Sequence, residues 1–273
     1  MYVQAIVRDP ETELNLDTIE EASPGRRWAG AVLILGMHRS GTSCLAGSLQ
    51  ALGLTLGQVH EWNPYNLKGN REHPSIMNLN DAVLAHSGGA WDQPPDQPCW
   101  TQAHARERDA ILGELERGGP GAWGFKDPRT LLLLPFWLEA LDRPSFVGTF
   151  RHPARVANSL RARGQMPIEV GLALWLTYNQ RLLDLYARSP FPLISFDLPE
   201  VEYAAAIAGV AQALGLAIPS PGQHHPFFDA QLRGAPAADA ELSPQALLLH
   251  ARLVAASRTF LTQVGGWGPD VEA

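Results

Sequence analysis

Two glycines and an arginine set the first chemical possibility in this chain. Gly36-Met-His-Arg-Ser-Gly-Thr-Ser43 has the G-x-x-x-x-G spacing of a phosphate-binding loop, closed by hydroxyl residues. Backbone N–H groups of such a loop, with the N-terminus of the helix it opens, form an anion site. A nucleoside triphosphate with magnesium needs a lysine after the second glycine to reach its β- and γ-phosphates. Thr42 stands there instead, and the positive charge comes from Arg39 inside the loop. That choice favours an anion with fewer charges and no metal. Arg39, Ser40, Gly41, Thr42 and Ser43 are therefore candidate anion ligands. A second segment, Arg151-His-Pro-Ala-Arg-Val-Ala-Asn-Ser159, sets an arginine eight residues before a serine. The guanidinium fork suits a phosphate dianion. Pro153 at a first helical turn leaves that helix N-terminus facing the same anion. Lys126, in Phe125-Lys-Asp-Pro-Arg129, is one of only two lysines among 21 basic residues. A compact ammonium after an apolar strand can balance charge that develops during a transfer reaction.

These motifs need elements to hold them. Ala31-Val-Leu-Ile-Leu35 is a continuous apolar run, as in a strand buried on both faces. Leu45, Leu49 and Leu52 then recur at helical spacing over 44–54. Further strands are expected at 123–126, 146–150 and 192–196. Helices are expected at 74–84, 103–116, 130–141, 153–163, 168–188, 201–214 and 244–262. Residues 55–70 are turn-rich and 87–100 irregular. Strands alternating with helices predict an α/β fold, a parallel sheet in three layers with helices on both faces. Ligands of such folds lie at the carboxyl ends of the strands. The segments 36–43, 126–129 and 151–159 all fall at such ends. Residues 1–30 read as a loosely packed leader, and 31–273 as a single domain with irregular loops at about 55–100.

The loop at 36–43 resembles the 5′-phosphosulfate loop of the sulfotransferase family, whose donor is 3′-phosphoadenosine 5′-phosphosulfate (PAPS). Arg151 and Ser159 match that family's second signature, which implies contacts to the donor's 3′-phosphate. The resemblance runs over roughly 31–265 and implies the P-loop NTPase-like sulfotransferase fold. Phe125-Lys-Asp-Pro-Arg129 is similar to a segment of tyrosylprotein sulfotransferases and bacterial relatives, and assigns Lys126 to the transferring sulfate. Arg129 is as well suited to holding the turn as to function. The acceptor hydroxyl must lose a proton as it attacks sulfur. The stretch Asn63–Pro74 resembles the bacterial segment that carries a glutamate base. It makes Glu72 the first candidate and His73 the second, although Glu72 also stands where a helix-capping carboxylate belongs. His60, Glu61, Trp62, Trp91 and Asp92 lie in loops that could line an acceptor pocket, and most are expected to be packing or surface residues. Trp175 and Tyr178 keep core spacing with Leu172, Leu176 and Leu182. Arg155 is expected to be a solvated helix residue. Arg233, within Phe227–Gly234, resembles a late loop that touches the donor. The alternatives are a magnesium–ATP kinase and a non-catalytic module that binds an anion or partner.

The composition limits the partners. The chain has 273 residues, 45% hydrophobic and 18% charged, enough for a packed core. A net charge of −7 argues against a nucleic-acid or anionic-membrane surface. No apolar run approaches the ~20 residues that span a bilayer, and no signal peptide is evident at the N-terminus. The cysteines, Cys44 and Cys99, are too few for a disulfide scaffold or a cysteine zinc site. The nine histidines show no metal-ligand spacing. The expectation is a cytoplasmic enzyme without a metal, acting on a hydroxyl-bearing acceptor. Carbohydrate, lipid-linked sugar, small metabolite and peptide tyrosine all stay open.

Overall fold

The computed structural model describes residues 28–62, 69–119, 121–218, 227 and 241–263. Four parallel strands form the main sheet in the order β3-β2-β5-β6. They are β2 (Ala31–Leu35), β3 (Trp123–Lys126), β5 (Ser145–Phe150) and β6 (Leu193–Ser195). In β2, Leu33 lies opposite Phe125 and Phe146, and Ile34 opposite Lys126 and Val147. A central strand with neighbours on both edges and helices on both faces has no solvated side. That is why all five residues of Ala31–Leu35 are apolar and buried.

The pleat divides these side chains between two cores. Val32 and Ile34 join Val147 and Ile194 against α1 (Thr42–Ala51) and α7 (Glu200–Ala213). Leu33 and Leu35 join Phe125, Phe150 and Leu193 on the other face. There they meet α2 (Pro74–His86), α3 (Gln102–Arg117), α4 (Leu134–Leu138), α5 (Pro153–Gly164), α6 (Ile168–Arg188) and α8 (Pro244–Gln263). The last turns of α8 reach round the sheet, so that Phe260 and Leu261 pack in the α1/α7 core. The expected three-layer α/β architecture is present. Trp175 and Tyr178, read as core residues, are fully buried.

Two segments depart from the sequence reading. The helix expected over 130–141 is instead a 3-10 turn (Pro128–Leu131), then α4, then β4 (Leu141–Asp142). Pro135 explains the break, because its ring would clash with the carbonyl of residue 131 and it has no N–H to donate. Asp127 starts the tight turn by accepting the Arg129 N–H at 2.7 Å. Strand β4 pairs in parallel with β1 (Trp28–Ala29), so the last residues of the expected leader belong to the fold. Trp28 is buried, and its ring occupies the space over Gly113 of α3 that a larger side chain would fill. Residues 1–27 and Arg233 lie outside the described residues.

Candidate active site

The chain leaves β2 through a loop bracketed by two glycines that have no room for a side chain. A Cβ on Gly36 (φ +148°) would collide with the Thr149 carbonyl and come within 3.0 Å of Thr42 Cγ2. Gly41 (φ +86°) lies in left-handed space against the Phe196 ring, where a side chain would be both strained and obstructed. Arg39 adopts φ +67°, uncommon for a residue with a side chain. The turn is pinned by Ser40 N–H donating to Met37 O at 3.2 Å and Thr149 Oγ1 donating to Ser40 O at 3.0 Å. Helix α1 starts at Thr42 with no side-chain cap and no acidic residue in its first turn. The first N–H groups of a helix lack an intrahelical acceptor, and no acidic side chain of this first turn competes for them. Ser40 Oγ is buried without a hydrogen-bond partner among the described residues.

Two motifs far apart in sequence meet here. Arg39 Nε donates to Ser159 Oγ at 2.8 Å, across 120 residues. Burial, with the nearby charges of Arg163 and Arg151, lowers the Arg39 pKa to about 10, so it stays cationic at neutral pH. Arg151 is buried at the end of β5, its guanidinium 5.4 Å from the Phe196 ring centroid. Its Nε lies 3.6 Å from Asp197 Oδ1, and its carbonyl accepts from Trp175 Nε1 at 2.9 Å. Asp197 Oδ2 also accepts the His152 N–H at 2.6 Å, and Oδ1 lies 3.5 Å from Arg155 Nε. Arg155, expected to be simply solvated, is thus part of the ion cluster. Asp197 was not among the sequence candidates. The available signal was its place just beyond the carboxyl end of β6.

A second cluster forms on the other side of the loop. Lys126, 2% exposed, donates to Glu72 Oε1 at 2.6 Å, Asn70 O at 3.0 Å and Ser43 Oγ at 3.4 Å. Glu72 is itself buried. Lys126 thereby joins β3, the first turn of α1 and the segment before α2. The Asp127 pKa is pushed up to about 6 by burial, opposed by Arg129 and reinforced by Glu72. Arg129 donates to Asp127 Oδ2 at 3.1 Å and pairs with Asp81 of α2. Burial works against its charge, but Asp127, Asp81 and Glu72 outweigh it and raise the Arg129 pKa. These two carboxylates give Arg129 a definite structural task.

The two base candidates separate. Glu72 reaches Lys126, whereas the His73 ring lies against Gly57. Burial lowers the His73 pKa, with Glu114 of α3 opposing and His60 reinforcing. In the loop candidates, Glu61 pairs with Arg71 at 3.4 Å, and Trp62 is 66% exposed. Trp91 does approach the loop: its ring centroid is 4.6 Å from that of His38. Among the described residues no group of three or more His, Cys, Asp or Glu is placed to hold a metal, and no helix is long and apolar enough to cross a membrane.

No family model and no curated protein matches this sequence. Among solved structures, the chain is similar to the sulfotransferase domain of the olefin synthase from Synechococcus PCC 7002. The identity is 15%, the TM-score 0.58, and the match covers 86% of this chain and 98% of that one. The sulfotransferase domain from the curacin biosynthetic pathway matches at 17% identity and TM-score 0.43, over 89% and 100% of the two chains. Sulfotransferase STF1 from Mycobacterium tuberculosis H37Rv matches at 14% and 0.43, over 89% and 77%. With its parallel sheet, helices on both faces and a match to nearly the whole of the olefin synthase domain, the chain has the sulfotransferase fold.

Proposed function

We propose that the protein is a sulfotransferase that moves the sulfuryl group of PAPS to a hydroxyl of a carbohydrate or small-molecule acceptor. The observation that carries this reading is the 2.8 Å bond from Arg39 to Ser159, with Arg151 and Arg163 close by. It joins the loop and the second motif in one cationic cluster at the carboxyl ends of β2 and β5. Such a cluster suits a ligand that carries more than one anionic group. The Arg39–Ser43 loop holds the 5′-phosphosulfate, and Arg151 with Ser159 holds the 3′-phosphate. The tight glycine loop, the uncapped start of α1 and the buried, unpartnered Ser40 Oγ fit such an anion.

The acceptor oxygen forms a bond to sulfur as the bond from sulfur to the bridging phosphate oxygen breaks. Glu72 takes the acceptor proton, and Lys126 balances the charge gathering on the bridging oxygen. Arginine, lysine and the helix N-terminus supply the positive charge, so no metal is needed.

Calorimetric titration with 3′-phosphoadenosine 5′-phosphate, without magnesium, tests the reading. Adenosine 5′-phosphate and magnesium–ATP are the controls. Tight binding that requires the 3′-phosphate is expected. A preference for magnesium–ATP would indicate a kinase, and no binding of any nucleotide would leave a non-catalytic module.

A further inference from the structure

We propose that His38 is a ligand of the transferring sulfuryl group, taking up a proton at Nε2 as that group arrives and donating it in a hydrogen bond to a sulfuryl oxygen. This rests on the donor reading above and adds a residue that neither motif resemblance nor charge pattern assigned. His38 lies inside the anion loop, between Met37 and Arg39. Its ring meets Trp91 at 4.6 Å and Tyr178 at 6.2 Å between centroids. Neither supplies a partner: Tyr178 Oη is committed to the Trp91 carbonyl at 2.8 Å. His38 Nε2 is buried and has no hydrogen-bond partner among the described residues. A buried ring nitrogen without a partner costs free energy unless something else comes to meet it.

The charges around the ring say what that is. Burial, then Arg129 of the 3-10 turn, Lys126 of β3, Arg163 of α5 and Arg39 of the loop all lower the His38 pKa well below its ordinary value. The carboxylates Glu72 and Asp127 are engaged by Lys126 and Arg129, and Tyr178 of α6 is held neutral by burial. Burial and these cations therefore disfavour the protonated imidazole before a ligand binds. An anion among these cations offsets their field and raises the imidazole's proton affinity. A group whose pKa rises on binding takes up a proton, and affinity then grows as pH falls between the two pKa values. Arg39 is already a fixed cation, whereas His38 becomes one only with the anion in place.

The test is calorimetry at pH 6 in two buffers of different ionisation enthalpy, for wild type and His38→Gln, with PAPS and with its desulfated product. Titration of the nucleotide's own phosphate is common to both proteins and cancels in their difference. Glutamine retains an N–H donor but cannot titrate. Wild type should take up roughly half a proton more than His38→Gln with PAPS, and clearly less extra with the desulfated nucleotide. His38→Phe, lacking any donor, should bind PAPS ~10-fold more weakly at pH 6. Equal uptake by wild type and His38→Gln, or an equal excess with both nucleotides, overturns the proposal while leaving the donor reading standing. Failure of both nucleotides to bind overturns the donor reading and the proposal with it.

Discussion

Replacing Lys126 by methionine removes a cation that holds three groups at once, and the cost follows from their burial. Glu72 would lose its partner at 2.6 Å while itself only 6% exposed, leaving an uncompensated carboxylate inside the protein. Breaking a buried pair in this way costs about 3–5 kcal/mol, and the Asn70 carbonyl loses a donor worth about 1 kcal/mol. Against a total stability of roughly 5–15 kcal/mol, that loss removes a large share of the folding margin. An inactive Lys126→Met protein would thus say little about chemistry. Lys126→Met with Glu72→Gln is the informative variant, because no net charge is then stranded. Urea unfolding at pH 7 of wild type, both single variants and the double variant measures the coupling. We expect the double variant to be at least about 2 kcal/mol more stable than the two single effects predict. Sulfate transfer should nonetheless fall by about 10²-fold or more, since both proposed chemical groups are gone. Additivity within about 0.5 kcal/mol would refute the energetic reasoning. A stable double variant with normal turnover would refute the assigned roles.

Two other perturbations have equally definite outcomes. Arg151→Lys keeps the charge but loses the fork, so binding of 3′-phosphoadenosine 5′-phosphate should weaken by about 10-fold, and Arg151→Ala by up to about 100-fold. Titration calorimetry reads both, and unchanged affinity would remove Arg151 from the site. Asp127 gives a stability effect of unusual sign. Its folded pKa, raised to about 6, lies above the unfolded value, so the folded state binds the proton more tightly. Stability from this group therefore rises as pH falls from 7 toward 4, opposite to an ordinary salt-bridged carboxylate. The difference in urea-unfolding free energy between wild type and Asp127→Asn should grow in favour of wild type over that range. A flat or reversed difference would contradict the raised value.

The strands and long helices could be read from the sequence because their patterns are local. Ala31–Leu35 is uniformly apolar, and α6 keeps its period over Ile168–Arg188. The anion loop was legible for a similar reason, since its glycines answer to backbone geometry within eight residues. What escaped depends on contacts between distant segments. β1 and β4 are two residues each and exist only because they find one another. Asp197 matters because it meets Arg151, 46 positions away in the chain. His38 sits within a recognised motif, but only the approach of Trp91 from the irregular 87–100 excursion reveals how its ring is confined. The choice of Glu72 over His73 turns on which side chain reaches Lys126, and adjacent residues in an extended segment point in opposite directions.

The contacts of Arg39 and Arg151 have a thermodynamic consequence for any anion that binds this cluster. A long cationic side chain that is free in solution must surrender about 2 kcal/mol of rotamer entropy when it is fixed. Here Ser159 immobilises one guanidinium, and Asp197 with Phe196 the other, during folding itself. The incoming anion meets groups already aimed, so that entropic loss falls on the stability of the fold rather than on affinity. The same residents set a ceiling, because the anion must share Arg151 with Asp197. A preorganised cluster of this kind would meet an anion with less entropic loss, and with less uncommitted charge, than arginines free in solution.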